Sequence, residues 1–162
     1  MERQYVGFEI AKSKYCVDVN DIKEVVREEN ITVLPNAPFF VEGLTNLRGV
    51  VIPVISIRKK LGIKQALSSD EKVNQADQIE AKKLMIVNID GVLVAFSVDS
   101  LDKVFPVDIK DIQTTEKVLD SSTDKSLIQG FVKVEDNLYL ILDIKKMLDF
   151  DEKYFIQKEV IQ

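Results

Sequence analysis

The sequence predicts an all-β protein with minor helix, built from two small barrels packed on each other. Three observations point there. Valine and isoleucine number 38 against 14 leucines, a bias toward β-branched side chains that fit a pleated surface. Short apolar runs alternate with period two between turn-forming residues. The second half also repeats the first. A shift of 87 residues sets Gly43 on Gly130, Val54-Ile55-Ser56-Ile57 on Ile141-Leu142-Asp143-Ile144 and Leu61 on Leu148. A shift of 79 sets Val17, Val19, Ile22 and Val25 on Phe96, Val98, Leu101 and Val104. Each copy holds about five strands, too few for a deep core of its own, so the two copies should pack together. Boundaries fall at approximately 15–85 and 86–150 within one domain spanning 1–162, with the N-terminal strand a candidate to cross to the second copy.

Tyr5–Ile10 and Tyr15–Val19 alternate about Ala11-Lys12-Ser13-Lys14, which reads as a hairpin. Lys23–Arg27 continues as a strand after a bend at Asn20-Asp21. Pro35 and Pro38 forbid a central strand over Leu34–Phe40 and make it a connecting loop. Gly43–Gly49 leads into a strand at Val50–Ile57, and Arg58-Lys59-Lys60-Leu61-Gly62 reads as one helical turn closed by glycine. Lys64–Lys83 is polar and reads as a loop. Leu84–Ile89 and Val92–Val98 flank Asp90-Gly91, a strong hairpin signal because both turn positions tolerate positive φ. Asp108–Lys125 is a second polar stretch, followed by a hairpin of Ile128–Val134 and Leu138–Ile144. Lys145–Leu148 mirrors the earlier helical turn, and Asp151–Gln162 is a candidate terminal helix.

Composition narrows the function. The 162 residues are 46% hydrophobic and 30% charged, the mix of a globular chain. The formal charge of -5 lacks the basic footprint that nucleic acid or anionic lipid would require, so neither nucleic-acid binding nor direct membrane insertion is expected. No apolar run approaches the roughly 20 residues that span a bilayer, and the N-terminus has no signal-peptide core, which together read as cytoplasmic. The chain has no histidine, removing the commonest general base and metal ligand, and its single Cys16 excludes an internal disulfide. No catalytic residue, metal or cofactor is expected. The between-barrel groove is the default place for a partner.

The segment Val41-Glu42-Gly43-Leu44-Thr45-Asn46-Leu47-Arg48-Gly49-Val50-Val51-Ile52-Pro53-Val54-Ile55 resembles the signature of the CheW family of chemotaxis coupling proteins. Ile22–Val26, Leu34–Pro38 and Ser97–Val104 are similar to further family motifs in the same order, so the likeness runs from roughly residue 4 to 150. Ser56 stands where the family usually carries an aspartate, which the second copy keeps as Asp143. The resemblance implies two intertwined five-stranded SH3-like barrels around a shared core. It also implies a non-catalytic adaptor, recruited to membrane-associated arrays, that couples chemoreceptor cytoplasmic tips to the regulatory domain of the histidine kinase CheA. With room for neither a kinase nor a receiver domain, the chain resembles the stand-alone coupler. A similar adaptor in a non-chemotactic array, or a small carboxylate-dependent enzyme, are the alternative readings.

The partner-binding residues so implied are Ile22, Glu24, Asn46, Leu47 and Arg48, with Arg48 important for coupling in the family. Gly43 and Gly49 support them through positive φ or close backbone approach, and Asn46 braces the loop by side-chain-to-backbone hydrogen bonding. Asp99 and Asp102 read as turn formers rather than a catalytic pair. The receptor tip is expected in the apolar groove between the barrels, and the kinase on the barrel edge around Ile22, Glu24 and Arg48.

Overall fold

The computed structural model describes residues 2–63, 82–113 and 127–149, together with Glu152 and Ile156. Most of Lys64–Lys83, Thr114–Lys125 and the candidate terminal helix therefore lie outside the described residues. Ten strands occur among those described: β1 Glu2–Ile10, β2 Ser13–Asp18, β3 Glu24–Arg27, β4 Val41–Leu47, β5 Val50–Ser56, β6 Lys83–Ile89, β7 Val92–Val98, β8 Ser100–Asp108, β9 Ile128–Val134 and β10 Asn137–Leu142. A short α-helix, α1 Ile57–Leu61, ends at Gly62 in the left-handed conformation, φ 72°, as a glycine C-cap should.

The strands form two five-stranded sheets, ordered β8-β1-β2-β10-β9 and β3-β6-β7-β5-β4. The expected boundaries at 15–85 and 86–150 are thereby corrected. The middle of the chain, β3 to β7, makes one barrel, and both ends of the chain make the other. The cause is an exchange of strands between the repeats. β5 pairs in parallel with β7 (Val54 with Ala95), and β10 pairs in parallel with β2 (Ile141 with Cys16). Those partners are related by the same shifts of 87 and 79, so the first hairpin of each copy, β1–β2 or β6–β7, joins the three later strands of the other.

The repeat extends to irregularities. The β4–β5 register slips between Val41 and Gly43, and the β9–β10 register slips beside Gly130. A Cβ on Gly43 would lie 2.2 Å from the Thr32 carbonyl oxygen, and one on Gly130 2.5 Å from that of Gln113. Thr32 and Gln113 form the isolated bridges, to Leu44 and Phe131, that draw the two edge strands of each sheet together. Both glycines thus permit the close approach that closes a barrel.

Alternation along the strands divides the apolar side chains among three clusters. Ile52, Val54, Leu84, Ile86 and Ala95 fill the β3–β7 barrel; Tyr5, Cys16, Phe105, Val107, Val132, Tyr139 and Ile141 fill the other. The intervening residues, among them Phe8, Val17, Ile55, Met85, Val87, Val94, Phe96 and Leu142, form the largest cluster, shared between the sheets. Ile156 of the C-terminal segment is buried in it, and Glu152 pairs with Lys60 of α1. This shared core joins the two barrels through the faces that their sheets turn toward each other.

β4 and β8 are strands where the sequence reading had none. β8 lies at a sheet edge, where Pro106 costs no ladder hydrogen bond, and its alternation is broken by a bulge that sets Asp102 and Lys103 opposite Gly7. In the bulge the Asp102 carboxylate accepts from the Tyr139 hydroxyl at 2.5 Å, the Lys103 amide at 2.8 Å and Lys14 Nζ at 3.3 Å. These donors, Tyr139 first, hold its carboxyl below the usual carboxylate range. A depressed native value stabilises the fold above the ordinary carboxylate value of about 4, and this contribution is lost as pH falls through the lower native value. Replacing Tyr139 by Phe is accordingly expected to cost about 1–3 kcal/mol at neutral pH in urea unfolding, a cost that narrows at lower pH as Asp102 protonates. An unchanged cost across that pH range would exclude Asp102 as the partner that matters.

Candidate functional site

The hairpin β4–β5 closes with Leu47 opposite Val50, leaving Arg48 and Gly49 as its two turn residues with φ of 51° and 87°. Left-handed conformation at both positions matches the right-handed twist of a hairpin. A Cβ on Gly49 would meet nothing within 4 Å, so glycine is needed there for its backbone freedom alone. Asn46 Oδ1 accepts from the Gly49 amide at 2.8 Å, the brace expected of it. The β6–β7 hairpin repeats the device, with Asn88 Oδ1 on the Gly91 amide at 2.8 Å and φ of 51° and 88° at Asp90 and Gly91. Since an aspartate occupies the position equivalent to Arg48 in that turn, the geometry does not demand arginine.

Across the seam between β3 and β4, Arg48 Nη2 donates to Glu24 Oε2 at 2.5 Å. The bond draws the Glu24 carboxyl below the usual range and raises the guanidinium in turn. The Arg48 side chain is 69% exposed. An ion pair so open to water adds little stability. What it does is hold a cation in one place on the surface.

Two adjoining clefts, of about 280 and 200 Å³, run along the same seam and share Leu47 and Ile86. The first reaches Val26, Asn30 and Asn46; the second reaches Lys23, Glu24, Arg48 and Val50. The structure thus brings Glu24, Asn46, Leu47 and Arg48 together, with Gly43 and Gly49 shaping the hairpin that carries them. Ile22 stands apart. It precedes β3, follows the 3₁₀ turn Val19–Asp21, and packs half-buried against the shared core. Val50, half exposed beside Arg48, and Lys23 were not singled out from the sequence, although Val50 opens the apolar run that marks β5.

Other residues resolve as structural. Asp99 Oδ2 accepts from the Ala11 amide at 2.8 Å and steadies the β1–β2 turn, and Asp102 is committed to its bulge, so the two do not form a carboxylate pair. Asp102 lies within β8 and not in a bend. Ser56 is buried and caps α1 by accepting from the Lys59 amide at 3.2 Å; the charge partner of Arg48 is Glu24 on β3. Cys16 is fully buried, and burial pushes its thiol up to about 12, which keeps it protonated and unreactive. Phe40 enters the shared core while Phe39 is 72% exposed. Among the described residues no helix is long and apolar enough to cross a membrane.

Residues 4–152 match the CheW-like domain family. The chain is 33% identical to "Chemotaxis protein CheW" of Thermotoga maritima over 148 residues, covering 91% of this chain and 89% of the relative. It is 27% identical over 151 residues to the protein of the same name from Treponema pallidum, covering 92% and 84%. Among solved structures, the crystal structure of the scaffolding protein TtCheW from Thermoanaerobacter tengcongensis superposes with a TM-score of 0.76 at 30% identity, covering 94% of this chain and 91% of that one.

Proposed function

The chain belongs to the CheW-like domain family, and from that premise we propose that it is a chemotaxis coupling adaptor with no catalytic activity of its own. Its proposed partners are the regulatory domain of the histidine kinase CheA and the cytoplasmic tip of a chemoreceptor, and its proposed place is the cytoplasmic side of membrane-associated receptor arrays. The observation that carries the reading is the fixed, exposed guanidinium of Arg48. It sits on a turn that does not require arginine, beside Glu24, Lys23 and half-exposed Val50, with an apolar seam behind it. A charged anchor rimming partly open apolar surface suits a docking contact. Ile22, Glu24, Asn46, Leu47 and Arg48 are the proposed partner-binding residues, supported by Gly43 and Gly49. The kinase domain is proposed on the edge of the β3–β7 barrel around Ile22, Glu24 and Arg48, and the receptor tip in a groove between the barrels.

The test is a pull-down of purified protein with the kinase regulatory domain and with a receptor cytoplasmic fragment. Binding to both, with kinase activation only when all three are mixed, is expected. A folded protein that binds neither would overturn the proposal.

A further inference from the structure

Past β10 the chain returns to the other barrel. Lys60 belongs to α1, which follows β5 of the β3–β7 barrel, whereas Glu152 lies beyond β10 of the barrel made by the two ends of the chain. Their ion pair therefore spans the two barrels. It is the most buried ion pair among the described residues, with each side chain 16% exposed. Lys60 Nζ also stands 4.5 Å from the centre of the Phe40 ring, whose face attracts a cation. Glu152 gives Oε2 to Lys60 and Oε1 to the Asp149 amide at 2.8 Å. Its own amide donates to Asp149 Oδ1 at 2.7 Å, which completes the reciprocal pattern of a capping box. Ile156, four residues on, is buried in the shared core.

The repeat shows that the fold does not demand a charge at this place. Under the shift of 87, Lys60 corresponds to Met147, an apolar side chain fully buried in the same core. A buried ion pair often stabilises a fold no more than apolar packing of similar volume would. What it adds is direction: apolar burial is non-directional, while a charged pair held by further hydrogen bonds selects one geometry. We propose that Lys60 and Glu152 are positioning residues, whose pair fixes the setting of one barrel against the other and with it the groove that both barrels offer the receptor tip. The proposal rests on the coupling reading for its partner. A helix seated across both barrels feels their relative setting. The kinase domain, proposed on the edge of the β3–β7 barrel alone, does not.

The test is Lys60→Met combined with Glu152→Gln. Methionine copies the occupant of the equivalent place, glutamine keeps the capping box, and no unpaired charge is left behind. Thermal unfolding is expected to stay near that of the wild type. Calorimetric titration should show receptor-fragment binding weakened about fivefold or more, the scale on which residues away from a ligand tune its affinity, with kinase-domain binding unchanged. Lys60→Arg, which keeps the pair, should bind both partners as the wild type does. Residual dipolar couplings read the setting directly, and the relative orientation of the barrels should differ between the wild type and the double variant. A double variant that keeps the wild-type orientation, or the wild-type receptor affinity, would overturn the proposal. So would equal losses for receptor and kinase, the mark of a general structural role, or a Lys60→Arg protein that behaves as the double variant does. A wild type that binds no receptor fragment would instead sink the coupling reading, and the dipolar couplings would still decide the role of the pair.

Discussion

Reversing the charge at position 48, Arg48→Glu, is expected to weaken binding to the kinase regulatory domain by about tenfold or more while leaving the fold intact, the loss typical of an anchor at an interface centre. The turn tolerates the change because a glutamate already occupies the equivalent left-handed position as Glu135, and an aspartate does so at Asp90. Stability should stay close to that of the wild type, since an ion pair so open to water adds little to it. Calorimetric titration with the kinase fragment reads the binding, and thermal unfolding by circular dichroism reads the fold. Restoring the internal pair with Glu24→Arg in the same chain should leave kinase binding weak. If Arg48→Glu unfolds the protein, the arginine is a structural residue and the docking proposal fails.

Gly43→Ala is expected to be the most damaging single methyl group that could be added to the hairpin. The new Cβ would lie 2.2 Å from the Thr32 carbonyl oxygen and 2.8 Å from Ile31 Cγ2. The first of these is backbone, pinned by reciprocal hydrogen bonds of 2.8 Å between Thr32 and Leu44. Relief requires breaking that bridge and reopening the barrel seam, so a loss of about 3 kcal/mol or more in urea unfolding is expected, the range of severe steric substitutions. Gly49→Ala is the control. It meets open space and bears only the left-handed backbone penalty of about 1–2 kcal/mol. Equal losses at the two positions would refute the distinction between them.

Much of this architecture was legible in the chain because alternation and turn chemistry are local. The β1–β2, β6–β7 and β9–β10 hairpins, the glycine-capped turn at Gly62 and the bracing role of Asn46 follow from a few adjacent residues each. β4 was missed as a strand because Gly43, Thr45 and Asn46 dilute its alternation, and β8 because a bulge and a proline interrupt it. Both have a long-range cause, the closing of a barrel seam and an edge position in a sheet. The site was half legible. The Asn-Leu-Arg-Gly run pointed to the turn, but only folding sets Glu24 against Arg48 from 24 residues away and leaves Ile22 at the edge of the shared core.

What the amino-acid sequence determined by itself was the class, the repeat and the family, because period-two alternation, matched offsets and an unbroken motif survive without coordinates. Partition of the strands between barrels belonged to the tertiary structure. The shifts of 87 and 79 are the same whether each copy keeps its strands or trades its first hairpin. Parallel pairing of β5 with β7 and of β2 with β10 settles that choice, because the trade lets both sheets bury their outer faces in one core.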